Sequence, residues 1–77
     1  MATINDTTYE ILAPNPYDRG EFAGTPAGTW EVISDEEFDS YEDALAALRE
    51  LQADGMGTLA IREVGARYPH NADIYVA

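Results

Sequence analysis

Asp35, Glu37 and Asp39 stand at the first, third and fifth positions of a calcium-loop pattern. They belong to a run, Asp35 to Asp43, that holds six carboxylates in nine residues with no basic residue among them. Alternating oxygen donors open an EF-hand loop, which then needs glycine at its sixth position for the sharp turn and a bidentate glutamate at its twelfth. Here those positions are Ser40 and Ala46. A dedicated calcium site is therefore not expected, only the weak cation association of any carboxylate cluster. Paired carboxylates do general acid/base work when burial raises the pKa of one partner, whereas these read as solvated. The single histidine, His70, lies in the turn-like Tyr68-Pro69-His70-Asn71, and the chain has no cysteine to complete a zinc site. Ser34 and Ser40 lie beside acids, which hinder rather than activate a hydroxyl. No nucleophile elbow or phosphate-binding loop is present. The expectation is a non-enzymatic chain with no metal and no cofactor, in which charge carries the function.

The charge balance is one-sided: fifteen Asp and Glu against four Arg and no Lys, a formal net charge of −11. Such a charge opposes binding to nucleic acid or to an anionic membrane, and self-repulsion costs a small fold stability. A partner should be basic. With 45% hydrophobic residues the chain is rich enough to bury a core, and 77 residues make one small domain spanning 1–77. Met1-Ala2-Thr3-Ile4-Asn5-Asp6 has neither a basic region nor an apolar run, so no signal peptide is expected. No apolar stretch is long enough to span a bilayer, and the expected compartment is the cytoplasm.

The elements that must position these carboxylates follow from period and punctuation. Thr7 to Ala13 places Tyr9, Ile11 and Ala13 on one face and reads as a first strand. Residues 14–28 contain Pro14, Pro16, Gly20, Gly24, Pro26 and Gly28 and form a long loop. Tyr17, Arg19, Glu21 and Phe22 can contact a partner from this loop, but the favoured expectation is that Tyr17 and Phe22 cover one end of the core, with Arg19 paired to a nearby carboxylate. Thr29 to Ser34 alternates as a second strand, with Trp30 as the expected core anchor. Ser40 followed by Asp43 marks a helix start, reinforced by Glu42 in the first turn. From there Tyr41, Ala44, Leu45, Leu48 and Leu51 form an apolar stripe, and Gly55 supplies the stop. Seven residues are nearly two helical turns, so Asp43 and Glu50 share a face that Asp54 continues, expected to point away from that stripe. Thr58 to Val64 and Ile74 to Val76 read as the third and fourth strands. The order β-β-α-β-β predicts an α+β domain, a small antiparallel sheet with one helix packed on one face.

In size, composition, element order and the acidic run Asp35 to Asp43, the chain resembles the small, acidic, cysteine-free anti-CRISPR proteins of phages and mobile elements. The resemblance covers the whole chain and contains no shared sequence motif, so no residue is carried over individually. It implies a stoichiometric inhibitor acting in the host cytoplasm, which binds the basic nucleic-acid-handling surface of a CRISPR effector, often Cascade, and prevents target DNA from binding. The residues themselves add that carboxylates on a rigid support can occupy a Lys/Arg channel built for phosphates. The candidate partner-binding set is Asp35, Glu36, Glu37, Asp39, Glu42 and Asp43, extended by Glu50 and Asp54. Ser40, Glu42 and Asp43 have a local use in starting the helix, which leaves Asp35, Glu36, Glu37 and Asp39 unexplained by folding.

Three other readings of the same residues stay open. The acidic run can be a solvated face plus helix capping, the usual role of such runs. An antitoxin-like interaction module would use an apolar contact surface or the edge of the fourth strand, as a monomer or a homodimer. A haloadapted domain would also be rich in acids and lack lysine, but its acids should be spread evenly, and here six of fifteen fall within nine residues. Salt separates this last reading from the others. Phosphate mimicry predicts a chain that is folded in low salt, whereas haloadaptation predicts one largely unfolded there and rescued by molar salt that screens self-repulsion. Unfolding midpoints measured in both conditions decide it.

Overall fold

Strand alternation and one amphipathic helix account for most of the architecture. A computed structural model describes residues 7–77, and the Met1–Asp6 stretch, with its signal-peptide expectation, lies outside the described residues. The order is β1 (Tyr9–Pro14), β2 (Trp30–Val32), α1 (Tyr41–Ala53), β3 (Leu59–Glu63), a 3-10 turn (Asn71–Asp73) and β4 (Ile74–Tyr75). The four strands form one antiparallel sheet in the order β2-β1-β3-β4, so β1 and β3 are central. The fold is α+β, with the expected element order and an added 3-10 turn. Both edge strands are short, three residues in β2 and two in β4, which limits sheet extension by a neighbouring chain.

Register assigns each side chain to a face. Ile11 pairs with Ile61 and Leu59 with Tyr75, and these residues face the helix. There Ile11, Ala44, Leu48, Leu59 and Ile61 form the buried core, with Tyr41, Leu45 and Leu51 of the helical stripe packed around it. The opposite face carries Leu12, paired with Val32 on one side and Ala60 on the other, together with the cross-strand pair Glu10 and Arg62. Nε and Nη2 of Arg62 both donate to Glu10 Oε2, at 2.9 and 2.6 Å.

Trp30 is not the expected anchor of the helix-side core. It pairs with Pro14, two residues from Leu12, and so lies on the far face, half-buried. Alternation groups residues by face without saying which face the helix will cover. The Trp30 indole N–H donates to the Thr25 carbonyl at 2.9 Å, tying the 15–29 loop to the sheet. The loop is a chain of turns. Asp18 accepts from the N–H of Thr29 at 2.7 Å and of Gly20 at 3.2 Å, and these bonds hold its pKa below the ordinary carboxylate value. Gly28 is required by close approach, since a Cβ there would lie 2.3 Å from the Phe22 carbonyl oxygen. Tyr17 and Phe22 do not cover the core; they are 90% and 55% exposed. Nor does Arg19 pair with a carboxylate, because the ion pair formed among the described residues is Arg62 with Glu10.

The helix is closed at both ends by local bonds. Ser40 Oγ accepts from the Asp43 N–H at 3.1 Å with Ser40 in an extended conformation, as an N-cap requires. At the other end Gly55 takes φ +98°, its N–H reaches the Gln52 carbonyl at 3.0 Å and the Met56 N–H reaches that of Leu51 at 3.1 Å. This is a Schellman closure, and it satisfies carbonyls that the helix leaves open.

One flank of α1 is fastened to the β4 end of the sheet. Gln52 Nε2 donates to the Tyr75 carbonyl at 2.8 Å and to that of Gly57 at 3.0 Å. Tyr41 donates to Asp73 Oδ1 at 2.9 Å and shares a hydrogen bond with the Tyr75 hydroxyl. Burial, and then these two partners, push the Tyr41 hydroxyl pKa well above its ordinary value. Leu48, fully buried beneath the helix, is the expected weak point to truncation. Leu48→Ala should cost about 2–5 kcal/mol, a large share of what a small domain has. Val32→Ala, at a side chain 47% exposed, should change stability by less than about 0.5 kcal/mol. Urea unfolding midpoints of the two variants check the contrast.

Candidate functional site

The acidic run is held in place because β1 is longer than its partner β2. Past Val32 the chain stays on the edge of β1 for one more bond, Ile33 N–H to the Ile11 carbonyl at 2.9 Å, and then swings outward. The Ile11 N–H is taken by the Ser34 side chain, whose Oγ lies 3.2 Å away. The chain returns at Phe38, which exchanges two backbone bonds of 2.9 Å with Tyr9. Ile33 and Phe38 both pack against the helix-side core. Residues 34–37 therefore form a bulge pinned at both ends, with Asp35, Glu36 and Glu37 exposed. Thr8 Oγ1 also donates to Glu37 Oε1 at 2.7 Å, fixing one of the three carboxylates.

The eight candidate carboxylates do not form one row. Asp35 and Glu36 come from the bulge and Glu50 and Asp54 from the second half of α1, and the four meet across a single open groove of about 510 Å³. Its floor is apolar, formed by Ile11, Ile33, Phe38, Ala47 and Leu51. Glu37 turns to the other side of the bulge, where with Asp35 and Glu36 it borders a smaller depression of about 340 Å³ beside Val32 and Glu10. Glu10 is the acid that sequence reasoning missed. Asp39, Glu42 and Asp43 are exposed around the start of the helix and border neither depression. Of these, Asp43 also joins the cap through its N–H.

The helical acids also sit differently from expectation. Asp43, Glu50 and Asp54 share one side of α1, but that side is the flank next to the apolar stripe rather than its opposite. Ala47, half-buried in the groove floor, widens the stripe towards them. Each helical residue turns about 100°, so a single added apolar position is enough to bring Glu50 and Asp54 to the rim.

No basic side chain lines either depression. Such a surface presents hydrogen-bond acceptors and negative charge around an apolar patch. Among the described residues, no group of three or more His, Asp or Glu side chains is placed to hold a metal ion. His70 is far from the bulge in sequence and lines a separate cavity of about 240 Å³ with Tyr9, Tyr41, Tyr68 and Asp73. The Tyr41 hydroxyl there is already engaged by Asp73 and Tyr75.

No protein-family model matches the chain, and no curated protein or solved structure matches it significantly.

The pinning of the bulge is open to a direct test. Ser34→Ala leaves the part-buried Ile11 N–H without its acceptor and should cost about 1–3 kcal/mol. Amide exchange at Ile11 should accelerate markedly, while exchange at Arg62, which faces Glu10 in the central ladder, should follow only the global loss. Ser34→Thr, which keeps the hydroxyl, should restore protection.

Proposed function

We propose that the chain is a non-enzymatic binding protein whose acidic bulge stands in for nucleic-acid phosphates. It would occupy a surface lined with Lys and Arg and thereby exclude nucleic acid from it. In its finer form, following the resemblance noted from the sequence, the protein is an anti-CRISPR inhibitor that covers the DNA-handling surface of a Cascade-like effector. The observation that carries this reading is the pinned bulge itself. Asp35, Glu36 and Glu37 are exposed on a segment fixed at Ile33, Ser34 and Phe38, and among the described residues only the Glu37 side chain of the three makes a fixing bond, to Thr8.

Three physical consequences support it. A prepositioned loop loses little conformational freedom on binding, so more of the interaction energy appears as affinity. A net charge of −11 speeds encounter with a basic surface and slows encounter with other anions, nucleic acid included. And a Lys/Arg surface that pairs with phosphates pairs with carboxylates through the same kind of charge-assisted hydrogen bond, so exposed acids can compete for it.

The test uses the variant Asp35→Asn, Glu36→Gln, Glu37→Gln, Asp39→Asn. These are exposed positions, so folding should survive. The wild-type chain serves as bait in host lysate and, for the finer form, as competitor in a target-DNA binding assay with purified Cascade. The variant should bind its partner at least about tenfold more weakly, a loss of only about 1.4 kcal/mol, and its affinity should fall less steeply with salt. Unchanged affinity together with an unchanged salt slope would sink the reading.

A further inference from the structure

We infer that the groove between the 33–38 segment and the second half of α1 seats an apolar side chain of the partner, flanked in the partner by Lys or Arg. This deepens the proposed function and rests on its reading of the acidic bulge as partner-binding. It adds that recognition is amphipathic, so that charge alone is insufficient. Four observations lead there.

The groove floor is built of Ile33, Phe38, Ala47 and Leu51 over Ile11, apolar groups that burial by a partner would stabilise. Carboxylates stand on both walls, Asp35 and Glu36 on one and Glu50 and Asp54 on the other, so a cation beside the inserted group meets an acid on either side. The open groove, about 510 Å³, exceeds the ~150 Å³ apolar cavity that accepts benzene and so has room for a leucine- or phenylalanine-sized group. Finally, the two flanks of the helix differ. The β4 flank is laced by Gln52 and Tyr41, whereas among the described residues no hydrogen bond joins α1 to the 33–37 segment across the groove.

Charge selects the occupant. A nucleic acid or a second copy of this chain, itself at −11, would set like charges against the rim. A detergent-like apolar ligand would leave four carboxylates unanswered. A basic protein segment with a bulky apolar residue satisfies both floor and rim.

The experiment uses the full chain and two labelled synthetic peptides, one alternating arginine with leucine and one alternating arginine with serine, at about 0.15 M salt. The leucine peptide should bind about tenfold or more tightly than the serine peptide, as expected for burial of a leucine side chain. Ala47→Gln places a polar side chain across the floor while keeping a good helix former; it should abolish that preference, and a preference that survives it overturns the groove. Should this variant fail to fold, wild-type amide and methyl shifts carry the test, and the leucine peptide should perturb Ile33, Phe38, Ala47 and Leu51. Equal affinity for the two peptides, or perturbation centred elsewhere, overturns the groove and leaves the charge-based reading intact. If neither arginine peptide binds, both fall.

Discussion

The backbone of Ile11 sits at the point where the fold and its candidate surface meet. Its side chain is buried in the core under α1, and its position in β1 pairs it with Ile61 in the other central strand. Its carbonyl and N–H point to the opposite edge, and both need partners because a buried peptide group left unpaired is costly. The residue that follows the short strand β2, Ile33, supplies a backbone partner only for the carbonyl. The N–H is answered by a side chain, Ser34, and this substitution frees the chain to leave the sheet and carry three acids outward. Phe38 then restores backbone pairing at Tyr9. The bulge follows from satisfying one central strand with a partner too short for it.

A small domain with a large net charge also has to place its charges where they do least harm to folding. The one ion pair among the described residues, Glu10 with Arg62, lies on the sheet face away from the helix, where two donors of one guanidinium meet one oxygen in a partly shielded setting. The bulge acids sit at an exposed edge where water screens them. No buried side-chain polar atom is left without a hydrogen bond among the described residues. Sparing the interior in this way allows 15 acids to coexist with so small a core.

Much of this was legible in the sequence where the signal is local. Ser40 with Asp43, the stripe through Leu48, and Gly55 mark the helix from end to end because caps and period act within a few residues. Tyr9, Ile11 and Ala13 likewise read as one face. The meeting of Asp35 and Glu36 with Glu50 and Asp54 was not legible, because it depends on which side of the sheet the helix covers and how it is turned. The same gap misplaced Trp30, whose size suggested the main core, and Tyr17 and Phe22, whose apolarity suggested cover. Ser34 read as a strand residue; only the length mismatch between β1 and β2 makes it an acceptor. The Tyr41, Tyr75 and Asp73 cluster joins residues more than thirty positions apart and leaves no periodic trace.

The chain has a single tryptophan, and its indole is tied to the loop on the sheet face away from the helix. Its fluorescence therefore reports one side of the molecule and is insulated from the other. Emission will follow detachment of the 15–29 loop, while occupation of the acidic groove, across the sheet, leaves the indole in its original surroundings. The five tyrosines divide differently, with Tyr9, Tyr41 and Tyr75 packed against the helix-side core. A change in the tryptophan signal thus assigns a binding event to the loop face of one thin sheet without any label.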